Sequence, residues 1–579
     1  MACRSSRTRR RAIAGALLAL LLLACGGRPA SRPRRLPAKL SGIRLLVLLV
    51  VDQLAWDTLQ RYRPALRGGL ARLLTEGVVF ADAHHRHALT ATAPGHATLV
   101  TGLTPRHHGV IANDWFDRTA RHDVYSVENP RTGVVGPTNL LATALPDWVR
   151  QRDPWGRIYS ASGKDRAAVL LGGKRPNVAY WYDAGSHGFV TSRYYGHSRA
   201  WVAGFDHRPL LRAHFGTVWQ PVPLPRGVDA ARLGAVQLDG AGLPPHFPHP
   251  FGDLTTQLDS GFYESLYDSP VIDEYLAAFA RELAQQERLG VDDHLDYLGL
   301  SFTALDTVGH VYGPHSREVL DTVVRLDREL GDLLGALERQ VGRDHLVVAL
   351  SADHGVAPMP ERQRLLGLPG VRESAAHVAC VESVTRRLDA AFGRRDWFAA
   401  NLYLDPGAVA RSRVPRRELD RRIVQWLSAC PDVARIWTRA ELAPDRPTAN
   451  VELAMQRASY QPQRSPDFVV QWRPWFVERL TGTTHKSLYP YDTHVPLIVR
   501  LPGVRGREID EAVATVDLAP TLAALLGLRP PTRLDGRDLS ALLLPAPAPR
   551  AATIGPAPPA RPAQQAPARS RRGTSAQGP

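Results

Sequence analysis

Long apolar segments are missing from this chain of 579 residues, and the apolar run near its amino terminus, Ala12 to Ala24, is too short for a comfortable membrane span. No internal repeat is visible. Cysteine is scarce, at four residues. Cys3 and Cys25 belong to the amino-terminal segment, so a disulfide within the body of the chain requires Cys380 and Cys430. In an oxidising compartment these two either pair or remain as buried thiols.

Acidic residues are missing from both ends of the chain, and this accounts for its net charge of +16. Residues 1–40 carry ten Lys and Arg, and the tail after Leu544 carries five, with no Asp or Glu in either stretch. Fifteen of the sixteen excess charges therefore lie in the ends, and the middle of the chain is nearly neutral. This distribution argues against nucleic acid as a partner.

The amino terminus has the features of an export signal, since five arginines precede the short apolar run. The run ends in Leu-Leu-Ala-Cys-Gly at residues 22–26, which resembles a bacterial lipobox. We therefore predict a lipoprotein signal peptide over residues 1–25. The product is expected to be an exported, periplasmic or cell-envelope protein that is held at a membrane through a lipid on Cys25. The alternative is a plain secretory signal with an incidental cysteine.

Composition divides the remaining chain into three parts. Residues 26–42 are rich in Pro and Arg and form a tether, residues 43–542 form one large domain, and residues 543–579 form a disordered tail rich in Pro and Ala. Within the large domain, residues from about 179 to 265 are rich in aromatic and turn-forming side chains. We predict that this stretch is an inserted lid outside the central sheet.

Three strand-like apolar runs end at or near an aspartate. The aspartates are Asp52, Asp306 and Asp353. Continuous apolar runs are typical of strands covered on both faces, as in a parallel sheet, and open α/β sheets bind ligands beyond the carboxyl ends of such strands. Each aspartate alone could be a turn residue, but three in this position predict a shared site.

Histidines accompany these aspartates at spacings that suit a metal. His310 follows Asp306 by four residues, and His354 follows Asp353 directly. His494 precedes another apolar run and could complete a three-ligand set with Asp306 and His310.

Thr92 opens the motif Thr-Ala-Pro-Gly-His at residues 92–96. Because Pro is favoured in the first helical turn, Pro94 places the Thr92 hydroxyl at or beside a helix N-terminus, where free N–H groups can hold an anion. An ordinary N-cap threonine is the alternative. Lys164 and Arg166 lie at a predicted turn and could clamp phosphate oxygens, although alone they could equally be a solvated charge pair.

The order of these residues along the chain resembles the alkaline phosphatase superfamily. Specifically, it is similar to the Thr-nucleophile branch of PafA-type phosphatases, which is related to the nucleotide pyrophosphatase/phosphodiesterases. The resemblance covers roughly Ile43 to Leu542 and includes Asn-Asp-Trp-Phe-Asp at residues 113–117. It implies an α/β/α sandwich with a mostly parallel central sheet and an inserted lid.

The resemblance also implies two zinc ions. Asp52, Asp353 and His354 would bind the one that contacts Thr92, and Asp306, His310 and His494 would bind the other. Mixed Asp and His ligands suit zinc better than magnesium. Thr92 would attack the phosphorus atom and form a phosphothreonine intermediate. Asn113 would bind a non-bridging phosphate oxygen, and Lys164 and Arg166 would bind the additional negative charge of a monoester.

The predicted activity is hydrolysis of small-molecule phosphate monoesters. The main alternative is a phosphodiesterase or nucleotide pyrophosphatase on the same scaffold. A sulfatase is excluded because its nucleophile motif requires Cys or Ser with Arg four residues later, where this chain has Thr92 and His96. A non-catalytic lipoprotein with structural zinc would require closed sets of four ligands.

Overall fold

The computed structural model describes residue 40 and residues 42–238, 243–252, 258–531 and 533–544. The predicted signal peptide, nearly all of the tether and nearly all of the tail lie outside these residues. Within the described ranges, no helix combines the length and the apolar character needed to cross a membrane.

A sheet of nine strands forms the centre of the described residues. In chain order the strands are β1 (Leu45–Val51), β2 (Val78–Phe80), β3 (Ile158–Ser162), β4 (Val178–Asp183), β5 (Gly188–Val190), β6 (Asp296–Phe302), β7 (Leu346–Ser351), β8 (Leu497–Arg500) and β9 (Arg507–Ile509). Their order in space is β9-β2-β8-β7-β1-β6-β3-β4-β5. Strands β7, β1, β6, β3 and β4 are parallel neighbours, whereas β8 and β5 run antiparallel to theirs. This arrangement confirms the predicted α/β class with a mostly parallel sheet.

Helices cover both faces of the sheet. The principal helices are α1 (Thr92–Thr101), α2 (Asp165–Gly172), α3 (Val271–Gln286), α4 (Ala304–Tyr312), α5 (Arg317–Val341), α6 (Ala375–Phe392), α7 (Arg416–Leu427) and α8 (Leu518–Leu526). Alternate residues of β1 enter opposite cores: Val47 and Leu49 pack in the cluster that includes α3 and α5, and Leu46 and Leu48 pack in the cluster that includes α8. Burial on both faces explains why β1 is a continuous apolar run.

The prediction of a lid over residues 179–265 is wrong for the first part of that stretch. Strand β4 pairs in parallel with β3, and β5 pairs antiparallel with β4, so both belong to the central sheet. Several of the aromatic side chains that suggested a lid, among them Tyr182, Phe189 and Phe205, are core residues instead. The Phe189 ring, for example, stacks on Phe279 of α3 with centroids 3.9 Å apart.

A second lobe, residues 375–478, was not predicted from the sequence. It contains α6, α7 and an antiparallel pair of strands, Val433–Thr438 and Phe468–Trp472. Its own small core surrounds the fully buried Trp397. A disulfide between Cys380 and Cys430 crosses this lobe, which decides between the two alternatives that the sequence left open.

Candidate active site

The residues predicted to form a site meet at the carboxyl ends of the parallel strands. Asp52 follows β1 directly, and Asp353 is the second residue after β7. Asp306 lies in the first turn of α4, which follows β6. Because β7, β1 and β6 are adjacent and parallel, their carboxyl ends share one edge of the sheet. The topology therefore brings together side chains that are about three hundred residues apart in sequence.

The first group of potential ligands is centred on His354. Its Nδ1 atom donates a hydrogen bond to the Gly355 carbonyl at 3.0 Å, so the proton is on Nδ1 and Nε2 carries a lone pair. This Nε2 atom lies 3.4 Å from Oδ1 of Asp52 and 3.4 Å from Oδ2 of Asp353. None of the three atoms has a hydrogen-bond partner among the described residues, and all three are buried.

The second group consists of Asp306, His310 and His485. His310 Nδ1 donates to the Thr483 carbonyl at 2.8 Å, and His485 Nδ1 donates to the Thr90 carbonyl at 2.6 Å. Their Nε2 atoms, left with lone pairs, lie 3.2 Å and 3.8 Å from Oδ1 of Asp306.

The structure therefore corrects the sequence prediction for His494, because His485 takes the place expected for it. His494 donates from Nε2 to the Ala81 carbonyl at 2.8 Å, and its ring stacks on His84 with centroids 4.4 Å apart. It lies in a separate, half-buried group with Asp82 and His84. A backbone bridge between His84 and His494 anchors it there.

Both groups have the donor set that a metal ion requires. Buried carboxylate oxygens and imidazole lone pairs that face one another without a hydrogen repel each other unless a cation lies between them. Metal-bound histidines usually donate their second ring N–H to a carbonyl or carboxylate, as all three histidines of the two groups do. Nitrogen and oxygen donors together fit zinc.

Protonation agrees with this interpretation. Burial lowers the pKa of His354, and burial lowers the pKa of His485 well below its ordinary range, so both imidazoles are neutral, the form that binds metals. Burial and the nearby Asp306 and Asp353 carboxylates raise the pKa of Asp52 well above its ordinary value. The raised pKa reflects the mutual repulsion of these buried carboxylates, which a cation bound between them would relieve.

Thr92 is the first residue of α1, as the proline in its motif predicted, and it lines a cavity of about 420 Å³ together with Asp306, His310 and His485. The rest of the motif holds the helix against the site. A Cβ on Gly95 would lie 2.2 Å from the Asp353 carbonyl oxygen, so only glycine allows this approach. His96 donates to the Thr92 carbonyl at 2.8 Å, and its other ring nitrogen bonds the Ser301 hydroxyl at 2.8 Å.

Asn113 and Arg166 line the same cavity. The Asn113 side-chain oxygen accepts a hydrogen bond from the Ala93 N–H at 2.9 Å, which leaves its NH₂ group as the donor available to a ligand. Arg166 donates to the Tyr125 hydroxyl at 3.3 Å, and that hydroxyl donates to Asp165 at 2.6 Å. Tyr125, which the sequence did not single out, therefore orients the guanidinium.

Lys164 contacts the two carboxylates instead of lining the cavity. Its Nζ atom lies 2.6 Å from Oδ2 of Asp52 and also contacts Oδ2 of Asp306. Burial disfavours its charge, but the Asp306 and Asp52 carboxylates raise its pKa, so the ammonium stays protonated. Lys164 is thus a fixed positive charge between the two ligand groups, a position that the sequence did not predict.

Gln53 connects the two groups and was also missed. Its Nε2 donates to Oδ1 of Asp306 at 2.6 Å, and its backbone N–H donates to Oδ1 of Asp353 at 3.2 Å. Its backbone φ of 67° is unusual for a residue with a side chain and marks a locally strained turn after β1. The signal that could have found it is its position directly after Asp52.

Comparison with known proteins places the chain in a family. A family model described as type I phosphodiesterase / nucleotide pyrophosphatase matches residues 46–487. The alkaline phosphatase PhoK of a Sphingomonas species is 30% identical over 533 residues, which cover 86% of this chain and 90% of PhoK. The alkaline phosphatase PafA of Elizabethkingia meningoseptica is 27% identical over 525 residues, 86% of this chain and 94% of PafA.

The fold agrees with these sequence matches. The crystal structure of wild-type PafA superimposes with a TM-score of 0.78, and the match covers 86% of this chain and 99% of PafA. The chain therefore belongs to the type I phosphodiesterase/nucleotide pyrophosphatase family and, within it, to the PafA-type branch of alkaline phosphatases.

Proposed function

We propose that this protein hydrolyses phosphate monoesters through a phosphothreonine intermediate at a site for two zinc ions. The observation that carries the proposal is the pair of buried donor groups, Asp52–Asp353–His354 and Asp306–His310–His485, with Thr92 on the wall of the adjoining cavity. Homologues over most of the chain bear the name alkaline phosphatase, which supports phosphate-ester hydrolysis.

The two donor groups would divide the metal chemistry between them. Asp52, Asp353 and His354 would hold one zinc and Asp306, His310 and His485 the other. Zinc bound there would lower the pKa of the Thr92 hydroxyl and neutralise charge on the departing oxygen. The Thr92 oxygen forms a bond to phosphorus as the bond to the ester oxygen breaks, and the alcohol leaves. Water then hydrolyses the phosphothreonine to free phosphate and Thr92.

The protein side chains around the cavity supply the remaining recognition. The Asn113 NH₂ group and the Arg166 guanidinium are donors to non-bridging phosphate oxygens. Lys164 adds a positive charge beside Asp52 and Asp306. A monoester dianion presents three non-bridging oxygens and a diester two, so two cations favour the monoester.

The alternative activity is a phosphodiesterase or nucleotide pyrophosphatase, and the description of the matching family model favours it. The deciding experiment compares kcat/KM for an aryl phosphate and for its methyl diester in wild type, Lys164→Ala and Arg166→Ala. A charge-assisted hydrogen bond is worth about 1.5–3 kcal/mol, so Arg166→Ala is expected to lose about one to two powers of ten on the monoester. Lys164→Ala removes a positive charge beside the site and should also lose monoester activity. The loss on the diester should be much smaller.

Arg175→Ala is the matched control, because Arg175 is an exposed arginine just after α2 and does not line the cavity among the described residues. It should leave both rates unchanged. Equal losses on both substrates in Lys164→Ala and Arg166→Ala, or a wild type that prefers the diester, would favour the phosphodiesterase activity instead.

We also propose that the mature protein is a lipoprotein of the cell envelope with diacylated Cys25 at its amino terminus. The support is the sequence Leu-Leu-Ala-Cys-Gly after a short apolar run. Mass spectrometry of the membrane fraction should identify this modified cysteine, and Cys25→Ser should release the protein from the membrane. A mature chain that begins at another residue would identify a simple secretory signal.

A further inference from the structure

A second cavity, of about 670 Å³, lies between the residues that flank Asn113 and the second lobe. Five aromatic side chains contribute to its wall, namely Trp115, Tyr403, Tyr460, Phe468 and Trp472. Its volume falls within the range of about 300–1,000 Å³ that small-molecule sites occupy. Neither the metal groups nor the phosphate-binding side chains use this space.

The second cavity adjoins the catalytic one. Glu478 and Lys486 line both. Ala112 and Asp114, which line the second cavity, flank Asn113, which lines the first. An organic group attached to a phosphate beside Asn113 therefore has a path into the aromatic cavity.

The geometry of the displacement also places the leaving group towards the second cavity. In an in-line displacement, the leaving oxygen lies on the side of phosphorus opposite to the attacking Thr92 oxygen. The Asp306–His310–His485 group would face that oxygen, and Lys486 follows His485 directly. Lys486 is held with a backbone φ of 96°, which side-chain-bearing residues rarely adopt, so the chain turns sharply at the junction of the two cavities.

The charges of the wall restrict what can enter. Four carboxylates, those of Asp114, Glu373, Glu382 and Glu478, line the second cavity, and among its described lining residues Lys486 is the one lysine. Coulomb repulsion therefore disfavours an anionic group. An uncharged apolar group, by contrast, gains from removing its surface from water.

We propose that the second cavity is the leaving-group subsite, and that it selects phosphate monoesters of uncharged hydrophobic alcohols. The inference rests on the proposed phosphatase function and adds the substrate class. The substrate places its phosphate between Thr92 and Arg166 and its alcohol portion against the aromatic wall of the second lobe.

The test uses three monoesters of primary alcohols whose leaving-group pKa values are nearly matched: ethyl phosphate, 3-phenylpropyl phosphate and the latter with a para-carboxylate on its ring. Burial of a phenyl group is worth about ten- to hundredfold in affinity. Wild-type kcat/KM for 3-phenylpropyl phosphate should therefore exceed that for ethyl phosphate at least tenfold, and the carboxylate should remove most of this gain.

Val378→Trp fills the cavity from α6, and Val291→Trp is its control. Val378 is 43% exposed and lines the cavity, whereas Val291 is 39% exposed and precedes β6 at the end of the strand away from the site. The ratio of the phenylpropyl to the ethyl rate should fall towards one in Val378→Trp and stay at the wild-type value in Val291→Trp. Thermal unfolding of both variants verifies that they are folded.

A wild-type ratio near one, or the same ratio in all three proteins, would overturn the subsite while leaving the phosphatase activity intact. Failure of the folded wild-type protein to hydrolyse any of the three monoesters would overturn the proposed function itself, and the subsite with it. The two failures are thus distinguished by the rate with ethyl phosphate.

Discussion

The Nε2 atom of His354 lies 3.4 Å from Oδ1 of Asp52, and when Asp52 is ionised neither atom has a hydrogen to offer the other. Two lone pairs at this distance in a buried site repel each other, so the arrangement is stable only with a positive charge nearby. Lys164 supplies part of that charge from the opposite side of the Asp52 carboxylate. We therefore expect the protein's stability and activity to depend on bound cations.

Metal content provides the first test. His485→Ala should reduce bound zinc from two ions per chain to one and should abolish turnover, because the second donor group loses a ligand. His494→Ala should retain both ions, since His494 lies with Asp82 and His84. Elemental analysis of the purified variants measures the difference. If His494→Ala lost a zinc ion while His485→Ala kept both, the ligand would be His494, as the sequence predicted.

Removal of metal should also destabilise the folded chain. A ligand present at about a thousand times its Kd stabilises the native state by about 4 kcal/mol, and chelation removes that contribution. We expect the Tm to fall on addition of a chelator and to recover with zinc. An unchanged Tm after complete metal removal would contradict the donor groups as metal sites.

The nucleophile is tested by Thr92→Ala. This variant should bind zinc through the Asp and His ligands but lose turnover by about three to six orders of magnitude, as for removal of other enzyme nucleophiles. Thr98→Ala in the same helix is the control, because Thr98 contacts His108 and does not line the cavity among the described residues. It should lose stability but keep turnover. Near-native rates in Thr92→Ala would exclude the phosphothreonine route.

Asp273 predicts a pH dependence of stability. Its carboxylate accepts hydrogen bonds from the N–H groups of Thr303 and Ala304 at the start of α4, and burial raises its pKa from 3.8 to about 7. Between these two values the folded state holds a proton that the unfolded state has lost. The free energy of unfolding therefore falls as pH rises from about 4 to about 7, by up to about 1.4 kcal/mol per pH unit from this group.

Asp273→Asn mimics the protonated form and should remove this dependence. Urea unfolding of wild type and variant at several pH values between 4 and 8 should give a difference in unfolding free energy that grows with pH and levels off above about 7. A constant difference would mean that Asp273 does not titrate in this window.

The disulfide between Cys380 and Cys430 predicts local stabilisation of the second lobe. It closes a loop with a sequence separation of 50 residues, for which the chain-entropy model gives about 4 kcal/mol. Cys380→Ser with Cys430→Ser should make residues of α6 and α7 exchange amide hydrogens faster and expose them to proteolysis. The strands of the central sheet, which the disulfide does not touch, serve as the internal reference. Equal protection of α6 and α7 in both proteins would contradict the prediction.

The sequence predicted those parts of the site that local order determines. Asp52, Asp306 and Asp353 each follow a buried strand, and parallel strands must present their carboxyl ends at one edge. His310 could be assigned because it lies one helical turn after Asp306, and His354 because it follows Asp353 directly. Thr92 could be placed at the start of α1 because Pro94 fixes the first helical turn.

The remainder depends on tertiary packing that no local pattern encodes. His485 and His494 belong to the same connection before β8, and only the fold decides which ring reaches Asp306. The aromatic composition of β4 and β5 suggested a lid. Packing against α3 places these residues in the core, and composition alone does not reveal that packing. Lys164, in the turn after β3, reaches two carboxylates because the order of strands in the sheet places β3 beside β6.

The two donor groups take their members from positions spread between Asp52 and His485. Asp52 and Asp353 are about three hundred residues apart, so a partly synthesised chain that ends before Asp353 has no complete place for an ion in the first group. A metal ion in that group would then be bound late in folding and would not nucleate it. A chain exported before it folds would take up its metal in the compartment where it arrives, from the supply available there.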